Sequence, residues 1–366
     1  MNFNRIFSRI DLLRQKMSEY GTDSFLMTVN EGFNWENIFY ISGFRGSSCS
    51  ILITSENEYI ITDGRYLEQA KAETPFTLID QGKRSMSKAV MDLISELSLR
   101  SAGFEADRMF TAFFRKIEGL HLEWRDLSGV VPSLRRKKDP EETGLVKKAA
   151  DIASQAFKKT IEETYAGMEE VKFANLLEFN VRDFGAECGW PGHGFVVVSG
   201  SRTSLPHGVP TQKKIGKGDW VTVDFGATYN GYISDITRNF VIGEPDKKFA
   251  ELHKVVLEAH LAAAEALKPG RECRSIDAIA RDLISSWGYG DNFNHGLGHG
   301  IGLEVHEKPR LSHSSEDILQ PGDIVTVEPG IYIQDLGGVR IEDDYLITEN
   351  GSVRLTDSLS REFISL

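Results

Sequence analysis

The sequence predicts two domains, an α/β unit over residues 1–135 and an α+β unit over residues 136–366. Three observations lead there. The chain has 366 residues, more than one compact core usually holds. Up to about residue 130, short apolar strands alternate with helical patterns. Beyond residue 140, strands and helices mix with no βαβ repeat.

In the first unit, residues 24–29, 49–54 and 58–62 read as strands, with a tight turn at Asp63-Gly64. Helices are expected over 65–73, 86–99 and 112–120. Ile6, Ile10, Leu13 and Met17 recur at helical spacing, so the opening segment reads as an ordinary first helix. It has no apolar signal-peptide core.

Between the units, residues 133–142 (SLRRKKDPEE) turn from basic to acidic. The basic run suits a linker with a solvated face, and the boundary falls near 133–138. Asp139 can cap a helix with Pro140 at its first position and Glu141 and Glu142 in its first turn.

In the second unit, two helices are expected over 140–185, and helices over 249–267 and 275–287. Strands are expected at 195–199, 220–225, 232–240, 324–327, 339–341 and 345–348. No internal repeat or low-complexity segment interrupts the pattern.

Bulk composition narrows the function. With 40% hydrophobic and 26% charged residues, the chain is an ordinary globular protein and not a disordered one. A net charge of −12 repels phosphate backbones and argues against nucleic acid as a partner. No apolar run approaches the ~20 residues that span a bilayer, so no membrane partner is expected. Cys49, Cys188 and Cys273 are odd in number and lack the short spacing of a zinc or redox motif. Free thiols fit a reducing compartment, and a cytoplasmic protein is expected.

The most informative stretch is VTVDFGATYNGYISDITRNF, residues 221–240. Asn230-Gly231 is a strong signal for a two-residue type I′ hairpin. In that register Tyr229 faces Tyr232, Gly226 faces Asp235, and Asp224 faces Thr237. Period-2 alternation then puts Asp224 and Asp235 on one face as diagonal neighbours, with Cα atoms roughly 7–8 Å apart. Two carboxylates so placed among apolar residues repel and lose hydration, and a divalent cation would neutralise them. A surface hairpin with two solvated aspartates is the plainer alternative.

Residues 294–307 (NHGLGHGIGLEVHE) carry His295, His299 and His306 among four glycines. The spacing matches neither a dinucleotide fingerprint nor a P-loop, and His306-Glu307 does not continue as H-E-x-x-H. Later, Glu328 interrupts an apolar strand, with Val325 and Val327 on one face and Thr326 and Glu328 on the other. In residues 337–348, Arg340, Glu342 and Asp344 face away from Val339 and Ile341. A structural salt bridge at Arg340 is the bland alternative there. Together these segments offer four carboxylates and imidazole, a donor set that suits Mn²⁺, Co²⁺, Fe²⁺ or Zn²⁺.

These residues resemble the metallopeptidases of the pita-bread fold: prolidase, Xaa-Pro aminopeptidase and methionine aminopeptidase. The resemblance rests on Leu205-Pro206-His207-Gly208, Asp224, Asp235, the 295–306 segment, Glu328-Pro329-Gly330 and Arg340-Ile341-Glu342-Asp343-Asp344. Ile41-Ser42-Gly43-Phe44 and Thr62-Asp63-Gly64-Arg65-Tyr66 resemble the creatinase-type N-terminal domain. The resemblance implies an α/β N-terminal domain plus an α+β pita-bread (creatinase/aminopeptidase) catalytic domain. It implies a hydrolase cleaving the Xaa-Pro bond of dipeptides or of peptide N-termini, with two divalent ions, Mn²⁺ or Co²⁺ first and Zn²⁺ or Fe²⁺ next.

By the same resemblance Asp224 binds one ion, His299 and Glu328 mainly the other, and Asp235 and Glu342 bridge them. Glu328 handles the proton of the attacking water. His207 and His306 hold the substrate and stabilise the tetrahedral intermediate, His295 lines the pocket, and Arg340 orders the carboxylates. Trp190, Phe195 and Tyr332 are candidate linings for a proline ring. A homodimer is implied. The N-terminal domain argues against methionine aminopeptidase, and the complete ligand set argues against creatinase, which uses no metal. The competing class is a non-catalytic peptide- or protein-binding member of the fold, or a related peptidase without proline specificity. Dipeptidase and aminopeptidase are not separated by the sequence.

Overall fold

The computed structural model describes residues 3–366; Met1 and Asn2, at the head of the expected first helix, lie outside the described residues. The chain divides into two compact units, Met1–Arg135 and Arg136–Leu366.

The first unit runs α1 (Phe3–Glu19), β1 (Ser24–Asn30), α2 (Trp35–Ser42), β2 (Ser48–Thr54), β3 (Glu58–Thr62), α3 (Leu67–Glu73), β4 (Thr77–Asp80), α4 (Met86–Glu96), β5 (Ser101–Phe104), α5 (Thr111–Ile117), β6 (Glu123–Asp126) and α6 (Val130–Arg136). Its strands form one mixed sheet in the order β4-β3-β2-β1-β5-β6. α1 buries Ile6, Ile10, Leu13 and Met17, as the spacing predicts. α3 starts two residues later than expected because the Asp63 carboxylate accepts the Arg65 N–H at 3.0 Å and holds a turn.

One omission and one expectation need correction. α2 is a helix that apolar periodicity did not reveal. It is eight residues long and is set between Asn34 and Gly43, both in the left-handed region at φ 68° and 78°. The basic run is no solvated linker. α6 extends through Arg136, Arg135 is 2% exposed, and Arg136 donates to Asp323 at 2.8 Å. Lys138 is buried against Glu307 at 2.8 Å.

The second unit opens with α7 (Pro140–Glu162), where Asp139 accepts the Glu141 and Glu142 N–H groups and Glu142 reaches back to the Asp139 N–H. It continues through α8 (Glu170–Asp183), β7 (Val196–Ser199), β8 (Trp220–Phe225), β9 (Thr228–Tyr229), β10 (Tyr232–Ile233), β11 (Ile236–Val241), α9 (Lys247–Glu265) and α10 (Cys273–Ser286). Then come β12 (Gly298–Gly300), β13 (Glu307–Leu311), β14 (Ile324–Val327), β15 (Gly330–Ile333), β16 (Gly337–Arg340), β17 (Asp343–Ile347), β18 (Ser352–Arg354) and β19 (Ile364–Ser365). One sheet is ordered β19-β11-β8-β7, a second β13-β12-β14-β17-β18, and β15-β16 form a hairpin. A bridge between Thr237 and Glu342 joins β11 to the segment before β17.

Helices back both sheets. Phe157 of α7 stacks on Phe225 of β8 at 4.9 Å, and Phe173 of α8 on Phe240 of β11 at 5.3 Å. α9 and α10 supply Leu252, Val256, Ala259, Ile276 and Ala280 to a core shared with Val325, Val327, Val339 and Ile341. That burial is the main stabilising term of the unit. No described helix is long and apolar enough to cross a membrane, and all three cysteines are free.

Glu105 illustrates a cost inside the first unit. It is 2% exposed, and its carboxylate accepts from Asn37 Nδ2 at 2.8 Å and from the Val131 N–H at 3.2 Å. Burial outweighs both bonds and pushes the carboxyl up to about 7. The folded state therefore holds this proton more tightly than the unfolded chain. The associated stability is complete below the ordinary carboxylate range and is lost as pH rises through about 7. Glu105→Gln should match the wild type near pH ~4 apart from a constant offset, and become relatively more stable by about 3 kcal/mol near pH ~8. Chemical denaturation of both proteins across that range checks this; a pH-independent difference would refute it.

Candidate metal centre

The centre is built on the hairpin of β8 to β11. Asn230 and Gly231 take φ of 48° and 82°, the left-handed conformation that a type I′ turn requires. Tyr229 pairs with Tyr232 and Asp224 with Thr237, as the register predicts. The ladder is not continuous, however. Around Asp235 the backbone turns outward: the Ser234 carbonyl accepts from Trp190 Nε1 at 3.1 Å, and the Asp235 N–H donates to Asp344 Oδ2 at 3.0 Å. The break frees Asp235 to project into a cavity.

That cavity, about 840 Å³, is lined by His207, Asp224, Asp235, His295, His299, His306, Glu328, Arg340 and Glu342. Every residue singled out from the sequence as catalytic or metal-ligating is thus on one wall or another of it. Trp190 and Phe195 line it as well, whereas Tyr332 stands behind the wall, bonded to His295 and Arg340.

Within the cavity the residues are not equivalent. Asp235, His299 and Glu342 present ligand atoms that all lie within 4.8 Å of one another. Asp224 turns one oxygen to Arg340 Nη2 at 2.5 Å, and Glu328 Oε1 lies 3.3 Å from His299 Nε2. His299 sits in the middle of β12. Its N–H donates to Thr326 Oγ1 at 3.0 Å, and its Nδ1–H donates to the Gly300 carbonyl at 3.1 Å. That leaves Nε2, the outward nitrogen, as the one that could coordinate a metal ion. β12 can lie this close to β14 because residue 298 is glycine; a Cβ there would stand 2.1 Å from the Thr326 carbonyl oxygen.

Glu342 is oriented from two sides. Thr237 Oγ1 accepts from Arg340 Nε at 2.9 Å and donates to Glu342 Oε2 at 2.7 Å. Its neighbour Asp343 faces the other way, paired with Arg238, Arg361 and Arg354 at 2.6, 2.6 and 2.9 Å. Burial opposes the Asp343 charge, but those cations and His260 hold its carboxyl well below the usual range.

The cavity carboxylates behave otherwise. Burial lifts Asp235 well above the usual carboxylate range, and the charges of Glu342 and Asp224 lift it further. Burial, Glu328 and Asp224 do the same to Glu342. Asp224 is raised by burial in spite of Arg340. Burial disfavours the Glu328 charge too, yet the bond and charge of His299 outweigh it and lower its carboxyl. Moreover, Asp224 Oδ1 and Asp235 Oδ1 are buried with no hydrogen-bond partner among the described residues. Repelling carboxylates with unpartnered oxygens, beside one imidazole nitrogen, are what divalent cations would satisfy.

The remaining histidines ring the cluster. The His306 ring lies 4.3 Å from that of His299, and burial followed by His299 pushes it down to about 4. His295 donates from Nδ1 to the Gly296 carbonyl at 2.8 Å and accepts the Tyr332 hydroxyl at 3.0 Å. Its segment is held from α10: Asp277 accepts the Leu297 N–H at 3.0 Å, and Arg281 donates to the His295 carbonyl at 2.8 Å. Glu307 accepts the Leu303 and Glu304 N–H groups at 3.0 and 3.2 Å, holding the approach to His306.

Three further ionisable lining residues escaped the sequence reading: His193, Arg310 and His313. Nothing in their local spacing marks them. Arg310 reaches the cavity through its place on β13, a fact of tertiary structure. Asp344 also went unrecognised as the support of Asp235, although strand alternation puts it on the Glu342 face.

The cluster and the helix-backed sheets around it define a metal-dependent hydrolase. Residues 144–349 match the model for metallopeptidase family M24, and residues 9–137 match the creatinase/prolidase N-terminal domain. The chain belongs to metallopeptidase family M24, with the α/β plus pita-bread fold that its motifs predict. An Xaa-Pro dipeptidase of Pyrococcus horikoshii is 39% identical over 352 residues, 95% of this chain and 96% of its own. An uncharacterized peptidase, YqhT, of Bacillus subtilis is 40% identical over 353 residues, 96% of this chain and 98% of its own. Among solved structures, an Xaa-Pro dipeptidase from Bacillus anthracis superposes with a TM-score of 0.93 at 39% identity, covering 99% of this chain and 100% of that one. An X-Pro aminopeptidase from Thermotoga maritima gives 0.90 at 37% identity, covering 96% and 100%.

Metal binding to the folded cluster should be visible as stabilisation. At an ion concentration about 100 times Kd the gain is about 2.7 kcal/mol, or roughly 5–10 °C in the melting temperature of a unit this size. Mn²⁺ or Co²⁺ added to chelator-treated protein should produce that shift in a thermal melt, and Asp235→Asn should lose most of it. An equal shift in the variant would remove Asp235 from the ligand set.

Proposed function

We propose that this metallopeptidase hydrolyses the Xaa-Pro bond of dipeptides, using two divalent ions held by Asp224, Asp235, His299, Glu328 and Glu342. The observation that carries the reading is the buried carboxylate cluster with unpartnered oxygens, open to a cavity of about 840 Å³. Mn²⁺ or Co²⁺ suits this oxygen-rich set first, Zn²⁺ or Fe²⁺ next. Relatives named for Xaa-Pro dipeptide cleavage, similar over nearly the whole chain, support the substrate class.

When bound, the ions supply a water activated near neutral pH and polarise the scissile carbonyl. The chain's own residues do the rest. Asp235 and Glu342 would be shared by the ions, Asp224 would hold one, and His299 with Glu328 mainly the other. Glu328 keeps its carboxylate charged beside His299 and takes the proton of the attacking water. His207 and His306 offer ring N–H groups to the peptide and to the oxyanion that forms on it. An Xaa-Pro bond is a tertiary amide with no N–H to recognise, so its site must grip a ring; Trp190 and Phe195 supply that wall. Arg340 holds Asp224 in place.

Arg310 favours dipeptides over longer chains. It lines the cavity, its guanidinium has no carboxylate partner among the described residues, and it is near enough to His306 to disfavour that ring's charge. There it can take the carboxylate that follows proline directly in a dipeptide. The protein is proposed to work as a homodimer in a reducing, cytoplasmic setting. The free thiols support the compartment; light scattering that returned the single-chain mass of 40.9 kDa would overturn the dimer.

With Mn²⁺ or Co²⁺, Ala-Pro should be cleaved with kcat/KM at least about tenfold above that for Ala-Pro-Gly, and Arg310→Gln should erase about that 1.4 kcal/mol preference mainly through KM. Equal rates on the two peptides would make the enzyme an aminopeptidase; failure on both, in protein loaded with metal, would sink the Xaa-Pro reading. His306→Ala should lower kcat by about 10²–10³ with metal content retained. Loss of the metals in that variant would reassign His306 as a ligand.

A further inference from the structure

Glu170 opens α8 and is fully buried outside the cavity. Its carboxylate accepts four hydrogen bonds from two distant points of the chain. Oε1 takes the Ser199 N–H and hydroxyl, both at 2.8 Å, and Oε2 takes the Thr211 N–H and hydroxyl at 3.1 and 2.9 Å. Ser199 ends β7, Thr211 lies just beyond Pro210, and the loop between them carries His207. Arg202, within the loop, lies 3.6 Å from the same carboxylate and donates to the Val209 carbonyl at 2.7 Å.

Packing holds this loop at Thr203 and Gly208 but not around His207. His207 is exposed, and Leu205 and Val209 beside it are 49% and 74% exposed. On its inner side the loop is tied through the Pro206 carbonyl, which accepts from Arg340 at 3.1 Å, and through Thr203, which accepts the Gly338 N–H at 2.7 Å. Those bonds fix its depth. Only a tie at both ends fixes its path, and one buried carboxylate with all its acceptor directions used provides it.

We propose that Glu170 is the positioning residue for His207, clamping both ends of the 199–211 loop so that the imidazole stays over the cavity. The proposal rests on the Xaa-Pro peptidase reading in so far as His207 meets the substrate there. A displacement of about 1 Å at such a group costs about 10²-fold in rate.

The test uses the full chain with Mn²⁺. Glu170→Gln keeps the size but turns one acceptor oxygen into an N–H₂ group; the hydroxyl facing it can turn to accept, whereas the backbone N–H there loses its acceptor. Hydrogen–deuterium exchange over residues 200–210 should quicken by about tenfold or more, while residues 294–300 keep wild-type exchange. On Ala-Pro, kcat/KM should fall about 10- to 100-fold. Adding His207→Ala to Glu170→Gln should cost no more than about twofold beyond His207→Ala alone, since the two act through one group. Unchanged exchange overturns the clamp, and quickened exchange with fully multiplicative losses overturns its assignment to His207. If Glu170→Gln does not fold, Thr211→Val removes one bond and should give a smaller quickening at the same residues; its absence counts against the clamp. A wild-type protein that cuts no Xaa-Pro peptide defeats the peptidase reading, and the exchange result still decides the clamp.

Discussion

The catalytic unit is organised around the mutual repulsion of carboxylates buried in one cavity. Asp224 arrives on β8, and Asp235, Glu328 and Glu342 at the ends of other strands; like charges at such range in a poorly solvated space oppose folding. Arg340 offsets part of this. Its guanidinium bonds Asp224 at 2.5 Å and approaches Glu342 at 4.0 Å. Its other bonds go to Thr237, Tyr332 and the Pro206 carbonyl, so four of its five N–H donors are committed. One cation among four carboxylates leaves a deficit of positive charge, and metal ions are the economical way to make it up. The same deficit ties this carboxylate cluster, rather than the fold around it, to a metal-dependent chemistry.

The orientation of that cluster is set from behind by further buried carboxylates. Asp343 collects three arginines and pins the strand that follows Glu342. Asp277, Glu307 and Glu170 each accept backbone N–H groups at the base of a segment that carries a cavity histidine. A carboxylate is well suited to this task, because it only accepts and can gather several N–H groups at once. Much of the acidic excess of the chain therefore sits inside, tying loops, and not only on the surface.

How much of this the sequence reveals depends on the range of the interaction. The Asp224–Asp235 pairing was legible because an Asn-Gly turn fixes register over a few residues. The break in the ladder at Asp235 was not, since it depends on Trp190 and Asp344, which come from elsewhere in the chain. His299 could not be told from His295 or His306 by spacing. What separates it is the close approach of β12 to β14, which turns its Nε2 toward the carboxylates. Arg136 and Lys138 read as surface charge because their partners are 187 and 169 residues away. Arg310 was invisible for the same reason. The short helix α2 escaped because eight mostly apolar residues carry no decisive period.

The Asn230-Gly231 turn has a consequence for how this protein can change. Exposed hairpin tips are ordinarily where chains accept inserted residues, and Asn230 is exposed. Here a single inserted residue would slip one strand past the other and send alternate side chains to the opposite face. Asp235 would exchange places with a neighbour and leave Asp224 without its diagonal partner in the cavity. Insertions should therefore be missing from this surface tip in active descendants, in any lineage, although nothing at the tip touches the chemistry.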